Sequence, residues 1–73
     1  MGSNYKIYYY RNGRRVYLDG SASEGYSYNT AVMFARDNAS SMPNRRIYIE
    51  NGDTGQDESS YVNQSGVIHV LTY

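Results

Sequence analysis

The sequence predicts a small α+β fold: a single domain, β-β-α-β-β, with an antiparallel sheet and one helix packed on one face. Three observations lead there. Asn12-Gly13 separates two aromatic, β-favouring runs. One later segment, 28–39, repeats small apolar residues at helical spacing. Two further β-branched runs, 45–50 and 67–73, follow it. A chain of 73 residues holds one domain, 1–73, with Met1-Gly2-Ser3 reading as a start and cloning scar. Its core is small, because a domain of this size buries only about 60–65% of its unfolded surface.

The first hairpin is the firmest element. Tyr5-Lys6-Ile7-Tyr8-Tyr9-Tyr10 runs into Arg11-Asn12-Gly13-Arg14 and then Arg15-Val16-Tyr17-Leu18. Asn-Gly suits a type I′ turn, which needs positive φ at both central residues. A two-residue loop there fixes the register. Arg11 faces Arg14, Tyr10 faces Arg15, Tyr9 faces Val16, Tyr8 faces Tyr17, Ile7 faces Leu18 and Lys6 faces Asp19. Tyr5, Ile7, Tyr9, Val16 and Leu18 then share the core face. The other face carries Lys6 with Asp19, Tyr8 with Tyr17, and Tyr10 with Arg15: a charge pair, an aromatic pair and a cation–π pair.

Residues 20–26 are small and polar and read as a loop. Ser27 is the expected N-cap of the helix, with Ser23 as the alternative. Tyr28, Ala31, Val32, Ala35 and Ala39 fall on one face, and the three alanines call for close approach to the sheet. Asn38, Ser40, Ser41 and Pro43 end the helix. In the third strand Ile47 and Ile49 point inward, with Arg46, Tyr48 and Glu50 outward. Asn51-Gly52 signals a turn, and 51–66 reads as a long polar connection with room for a short pairing near Tyr61-Val62. In the last strand Ile68 and Val70 are placed inward, and His69, Leu71 and Tyr73 outward.

Composition excludes several functions. There is no Cys, hence no disulfide framework and no thiolate metal site. No apolar run approaches the roughly 20 residues that span a membrane, and no signal peptide is visible; a cytoplasmic location without membrane contact is expected. Net charge is zero, but it is unevenly spread: residues 1–18 hold four basic and no acidic side chains, and 19–73 hold three basic against seven acidic. The molecule is therefore expected to be dipolar.

The motifs that could carry chemistry read mainly as structure. Asp53-Thr54-Gly55 is the tripeptide of aspartic proteases, but here it follows a turn rather than a hydrophobic strand. Asp53, Asp57 and Glu58 lack the spacing of a calcium loop. His69 has no Cys beside it and no visible triad. No catalytic residue, metal or cofactor is expected, and the chain reads as a non-enzymatic protein.

The open sheet face is the functional candidate. Tyr8, Tyr10, Tyr17 and Tyr48 with Arg14 and Arg15 are assigned to partner binding, because Tyr and Arg combine large contact area with directed polar groups. The partner is expected to be a protein or an identical subunit. The same face could stack single-stranded nucleic acid, as RNA-recognition-motif sheets do, though the signature and second helix of those domains are absent. Neutral net charge ranks protein first. In size, layout and lack of catalytic residues the chain resembles many small orphan proteins of bacteria and their phages. That resemblance covers no motif; it implies an inhibitor or regulator of a larger complex.

Overall fold

The computed structural model describes residues 4–21 and 25–73; the expectations for Met1-Gly2-Ser3 and for Ser23 fall outside them. Strands β1 (Tyr5–Arg11) and β2 (Arg14–Tyr17) precede helix α1 (Tyr28–Ser41). Strands β3 (Ile47–Asn51), β4 (Asp57–Gln64) and β5 (Val67–Thr72) follow it. The five strands form one antiparallel sheet in the order β2-β1-β3-β4-β5, with α1 packed on one face. The expected α+β fold is therefore present.

The first hairpin has the expected register, from Arg11 opposite Arg14 to Tyr8 opposite Tyr17. Asn12 and Gly13 both have positive φ, 53° and 78°, as a type I′ turn requires. The pairing ends sooner than expected. Leu18 N–H still reaches Ile7 O at 3.0 Å, but Asp19 and Gly20 both take positive φ and turn the chain away. The Lys6–Asp19 charge pair therefore does not form. Lys6 Nζ donates to Ser21 O at 2.9 Å, and Asp19 accepts from Asn38 Nδ2 at 2.7 Å. The other side of β1 pairs with β3, which sets Ile7 opposite Ile49 and Tyr8 opposite Tyr48.

Ser27 caps α1 by accepting from Thr30 N–H at 3.3 Å. Ala31, Ala35 and Ala39 are fully buried and form the core with Ile7, Ile47, Ile49 and Tyr61. An alanine stripe lets the helix axis sit close to the sheet, so its neighbours pack too: Phe34 lies against the ring of Tyr26, with centroids 5.1 Å apart.

The connection 51–66 holds more structure than a short pairing. It contains β4, an eight-residue strand between β3 and β5. Its sequence, Asp57-Glu58-Ser59-Ser60-Tyr61-Val62-Asn63-Gln64, is too polar to look like a central strand. Ser59 and Ser60 are nonetheless buried, and each hydroxyl is satisfied: Ser59 Oγ by Tyr28 OH at 3.2 Å, Ser60 Oγ by Arg46 Nη1 at 2.9 Å. Large side chains, Tyr28 of α1 on one face and Arg46 and Tyr73 on the other, reach over these small ones, so the strand needs little apolar surface of its own. Gly52 is less a turn residue than a close-approach residue. Its N–H donates to Asn4 O at 2.8 Å, and a methyl group there would overlap the Asn4 backbone.

Candidate binding face

The sheet face opposite α1 gathers side chains from four strands. Tyr8 (β1) sits at its centre and is fully buried. Tyr48 stacks on it with centroids 5.1 Å apart and planes at 12°. Tyr10 meets it edge-on at 5.4 Å, and Tyr17 tilts against it at 5.6 Å. The Arg15 guanidinium lies over the Tyr8 ring, 4.6 Å from its centroid, rather than over Tyr10. Ring contacts of this kind stabilise beyond their buried area, by about 0.5–1.5 kcal/mol each.

The hydroxyls are bound to acids at the same face. Between Ile49 and Glu50 the β3–β4 pairing slips by one residue, a bulge that sets Asp57 opposite Glu50. Tyr8 OH donates to Asp57 Oδ1 at 2.6 Å. Tyr17 OH donates to Glu50 Oε1 at 2.7 Å, and Arg15 Nη1 donates to the same oxygen at 3.0 Å. Burial first, then the bond to Asp57, pushes the Tyr8 phenol far above its ordinary range. Burial likewise raises Tyr17 and Tyr48. The neighbouring Tyr8 hydroxyl and the Arg15 guanidinium hold Tyr10 below its ordinary value. Among the described residues, no buried side-chain N or O lacks a partner.

The six sequence-assigned residues thus occupy different levels. Tyr8 forms the floor. Tyr17 and Tyr48 are half-buried, while Tyr10 is 45% exposed. Arg15 is exposed but ion-paired to Glu50, and Arg14 is exposed at the hairpin tip beside Arg11. Next to Tyr10 and Tyr48 lies an open depression of about 210 Å³, completed by Asn44, Arg45 and Arg46. Glu50 lies outward as its place in the third strand predicts, but sequence reasoning missed Asp57 as part of this face. A bulge inside an unrecognised strand aims Asp57, so no local pattern could have shown it. The strand itself left one readable signal: Ser65-Gly66, a turn dipeptide between Val62 and Val67, which has positive φ of 56° and 83°.

The other candidates disperse. Asp53 accepts from Asn4 Nδ2 at 2.8 Å, Asp57 from Tyr8, and Glu58 from Asn51 Nδ2 at 3.1 Å. Among the described residues no three His, Asp or Glu side chains gather as a metal site. His69 is exposed, paired across the ladder with Val62. Among the described residues no helix is long and apolar enough to cross a membrane.

Fold and face together define a small α+β protein with the centre of one sheet face covered by a helix and the centre of the other covered by its own tyrosines. No protein-family model, curated protein or solved structure matches this chain.

Proposed function

We propose that the chain is a non-enzymatic binding module whose tyrosine–arginine face docks onto a protein. The observation that carries this reading is the placement of Glu50 and Asp57 within the face. They balance Arg14 and Arg15, so the area centred on Tyr8 offers a rigid aromatic plateau of mixed charge. Protein interfaces use such surfaces: locked aromatic rings lose little entropy on binding, and a mixed-charge rim gives direction. Tyr10, Tyr17, Tyr48, Arg14 and Arg15 make the contacts, and Tyr8 holds them in place from below. A role as inhibitor or regulator of a larger complex suits a module of this size that brings no chemistry of its own.

The test is affinity capture from the native host with the wild-type chain and with a Tyr10→Ser/Arg14→Ser double variant. Both positions are exposed, so the variant keeps the fold. A protein retained by the wild type and lost by the variant is the expected result; equal retention overturns the assignment.

The depression lined by Tyr10, Tyr48, Arg45 and Arg46 favours a second reading, single-stranded nucleic acid, with a base on a ring and a phosphate at a guanidinium. Titrating the chain with an oligonucleotide at two salt concentrations separates the two. Saturable tyrosine quenching that salt weakens supports nucleic acid, and no quenching at low salt rejects it.

A further inference from the structure

The two edges of the sheet are finished differently. β2 is four residues long and carries the exposed Arg14 and Arg15, and Asp19 and Gly20 then turn the chain off the sheet. Short length and charge are the ordinary protection of an edge strand. β5 has none of it. Its six residues, Val67-Ile68-His69-Val70-Leu71-Thr72, include no Lys, Arg, Asp, Glu, Pro or Gly, and its pairing with β4 is regular throughout. Of the seven large apolar side chains left exposed among the described residues, four lie here: Val67 at 57%, Val70 at 50%, Leu71 at 47% and the adjoining Tyr73 at 58%. α1 covers β1, β3 and β4 and barely reaches β5.

We infer that β5 is a homodimer edge, on which a second copy pairs antiparallel about Val70. The inference does not depend on the tyrosine–arginine face. Tyr73 N–H bonds to Glu58 O at 3.1 Å, and the two-residue turn at Ser65-Gly66 puts Val67 in the same phase. Alternation along the strand therefore aims the N–H and C=O groups of Ile68, Val70 and Thr72 away from β4. Laid against itself, this edge pairs Val70 with Val70 of the second copy and Ile68 with its Thr72, for roughly six backbone hydrogen bonds. On the face opposite α1 the same register sets His69 against Leu71 and Val67 against Tyr73.

No charged pair arises in that register. The edge strand itself is uncharged, and the whole chain has zero net charge, so copies do not repel. The nearest charged groups, Glu58 on β4, Arg46 at Ser60 of β4 and Arg36 over the Tyr61 ring, would lie about three strand spacings from their symmetry mates. That is about 14 Å, beyond the screening length at physiological salt. A second copy is thus the occupant that fits apolar residues on both sides of one strand. An interface limited to one edge falls at the small end of specific interfaces, so a dimer with micromolar dissociation is expected.

Sedimentation velocity on the 73-residue chain, from about 1 µM to about 1 mM, tests this. The wild type should pass from monomer to dimer across that range. Val70→Lys puts like charges face to face, and Val70→Pro deletes an N–H that makes no bond to β4. Both should stay monomeric over the whole range, with unchanged circular dichroism and melting. Amide exchange supplies an independent readout: Ile68, Val70 and Thr72 should gain protection as concentration rises, while Val67, His69 and Leu71 stay protected throughout. A wild type that is monomeric at every concentration overturns the inference and leaves the edge to a strand from another protein. A dimer that survives in both folded variants overturns it too, by placing the contact elsewhere.

Discussion

Each face of this sheet has a buried centre, and the two centres are built by different chemistry. Under α1, Ile7, Ile47 and Ile49 meet Ala31, Ala35 and Ala39, and shape alone matters there. On the opposite face Tyr8 is equally inaccessible, yet it is covered by rings and a guanidinium, and its hydroxyl is held by a carboxylate. A chain this short has one helix to spend on one face. Tyrosine closes the other because its ring excludes water while its hydroxyl can stay at a polar rim. The second core depends on a hydrogen-bond network, so it is more sensitive to pH and to single polar substitutions than the first.

Truncating the first core should have the largest effect. Ile49→Ala opens a cavity against the alanine stripe and should cost about 2–5 kcal/mol, read from urea unfolding. A loss under about 1 kcal/mol would mean that the helix closes onto the gap, and that this core packs more loosely than its burial implies.

Alkaline pH should come next and act mainly on the second core, which holds three of the four tyrosines whose values are raised; the fourth, Tyr5, packs on the α1 side. Tyr8, Tyr17 and Tyr48 have folded-state values above the ordinary 10.0, so the folded state holds their protons more tightly than the unfolded chain. Their contribution is complete below about pH 10 and is lost as pH rises through the folded values. Tyr10, held low, has the opposite sign and offsets part of the loss. Melting temperature should therefore fall from about pH 10 upward. Tyrosinate absorbance should show an early-titrating ring, removed by Tyr10→Phe, that ionises before Tyr8, Tyr17 and Tyr48. A melting temperature flat to about pH 11 would contradict the buried network.

Tyr8→Phe takes away one hydroxyl and keeps the ring. Asp57 then loses its donor in a half-buried setting, for a cost of about 1–2 kcal/mol. Adding Asp57→Ala to Tyr8→Phe should recover part of it. If Tyr8→Phe is neutral, the face is held by ring packing alone and the contrast between the two cores weakens.

How much of this was legible in the sequence follows from the range of each interaction. The Asn12-Gly13 hairpin, the Ser27 cap, the alanine stripe and the inward isoleucines are local patterns, and each stands where the residues place it. β4 was legible only in part, because it is buried by partners distant in sequence: Tyr28 covers Ser59, and Arg46 and Tyr73 reach Ser60. The outer face was legible as a set of residues, but not in depth. Alternation assigns Tyr8 and Tyr10 to the same side; that Tyr8 lies underneath follows from its central place between β2 and β3. Lys6 shows the same limit. Its expected partner Asp19 was lost to two positive-φ residues that end the hairpin early.

Arg15 offers the smallest and sharpest test, because it touches both kinds of interaction at once. It covers the Tyr8 ring and pairs with Glu50, which is itself nearly buried while the Arg15 side chain is 36% exposed. Solvent screening at that exposure limits the ion pair to about 0.5–1 kcal/mol. A double-mutant cycle of Arg15→Ala and Glu50→Gln separates the two, since Gln keeps an acceptor for Tyr17 OH. Coupling of that size, shrinking as salt is raised, means that the carboxylate fixes the guanidinium over the ring. Zero coupling with an undiminished cost for Arg15→Ala means that the arginine contributes as a cover for Tyr8. The second core would then be, like the first, a matter of packing.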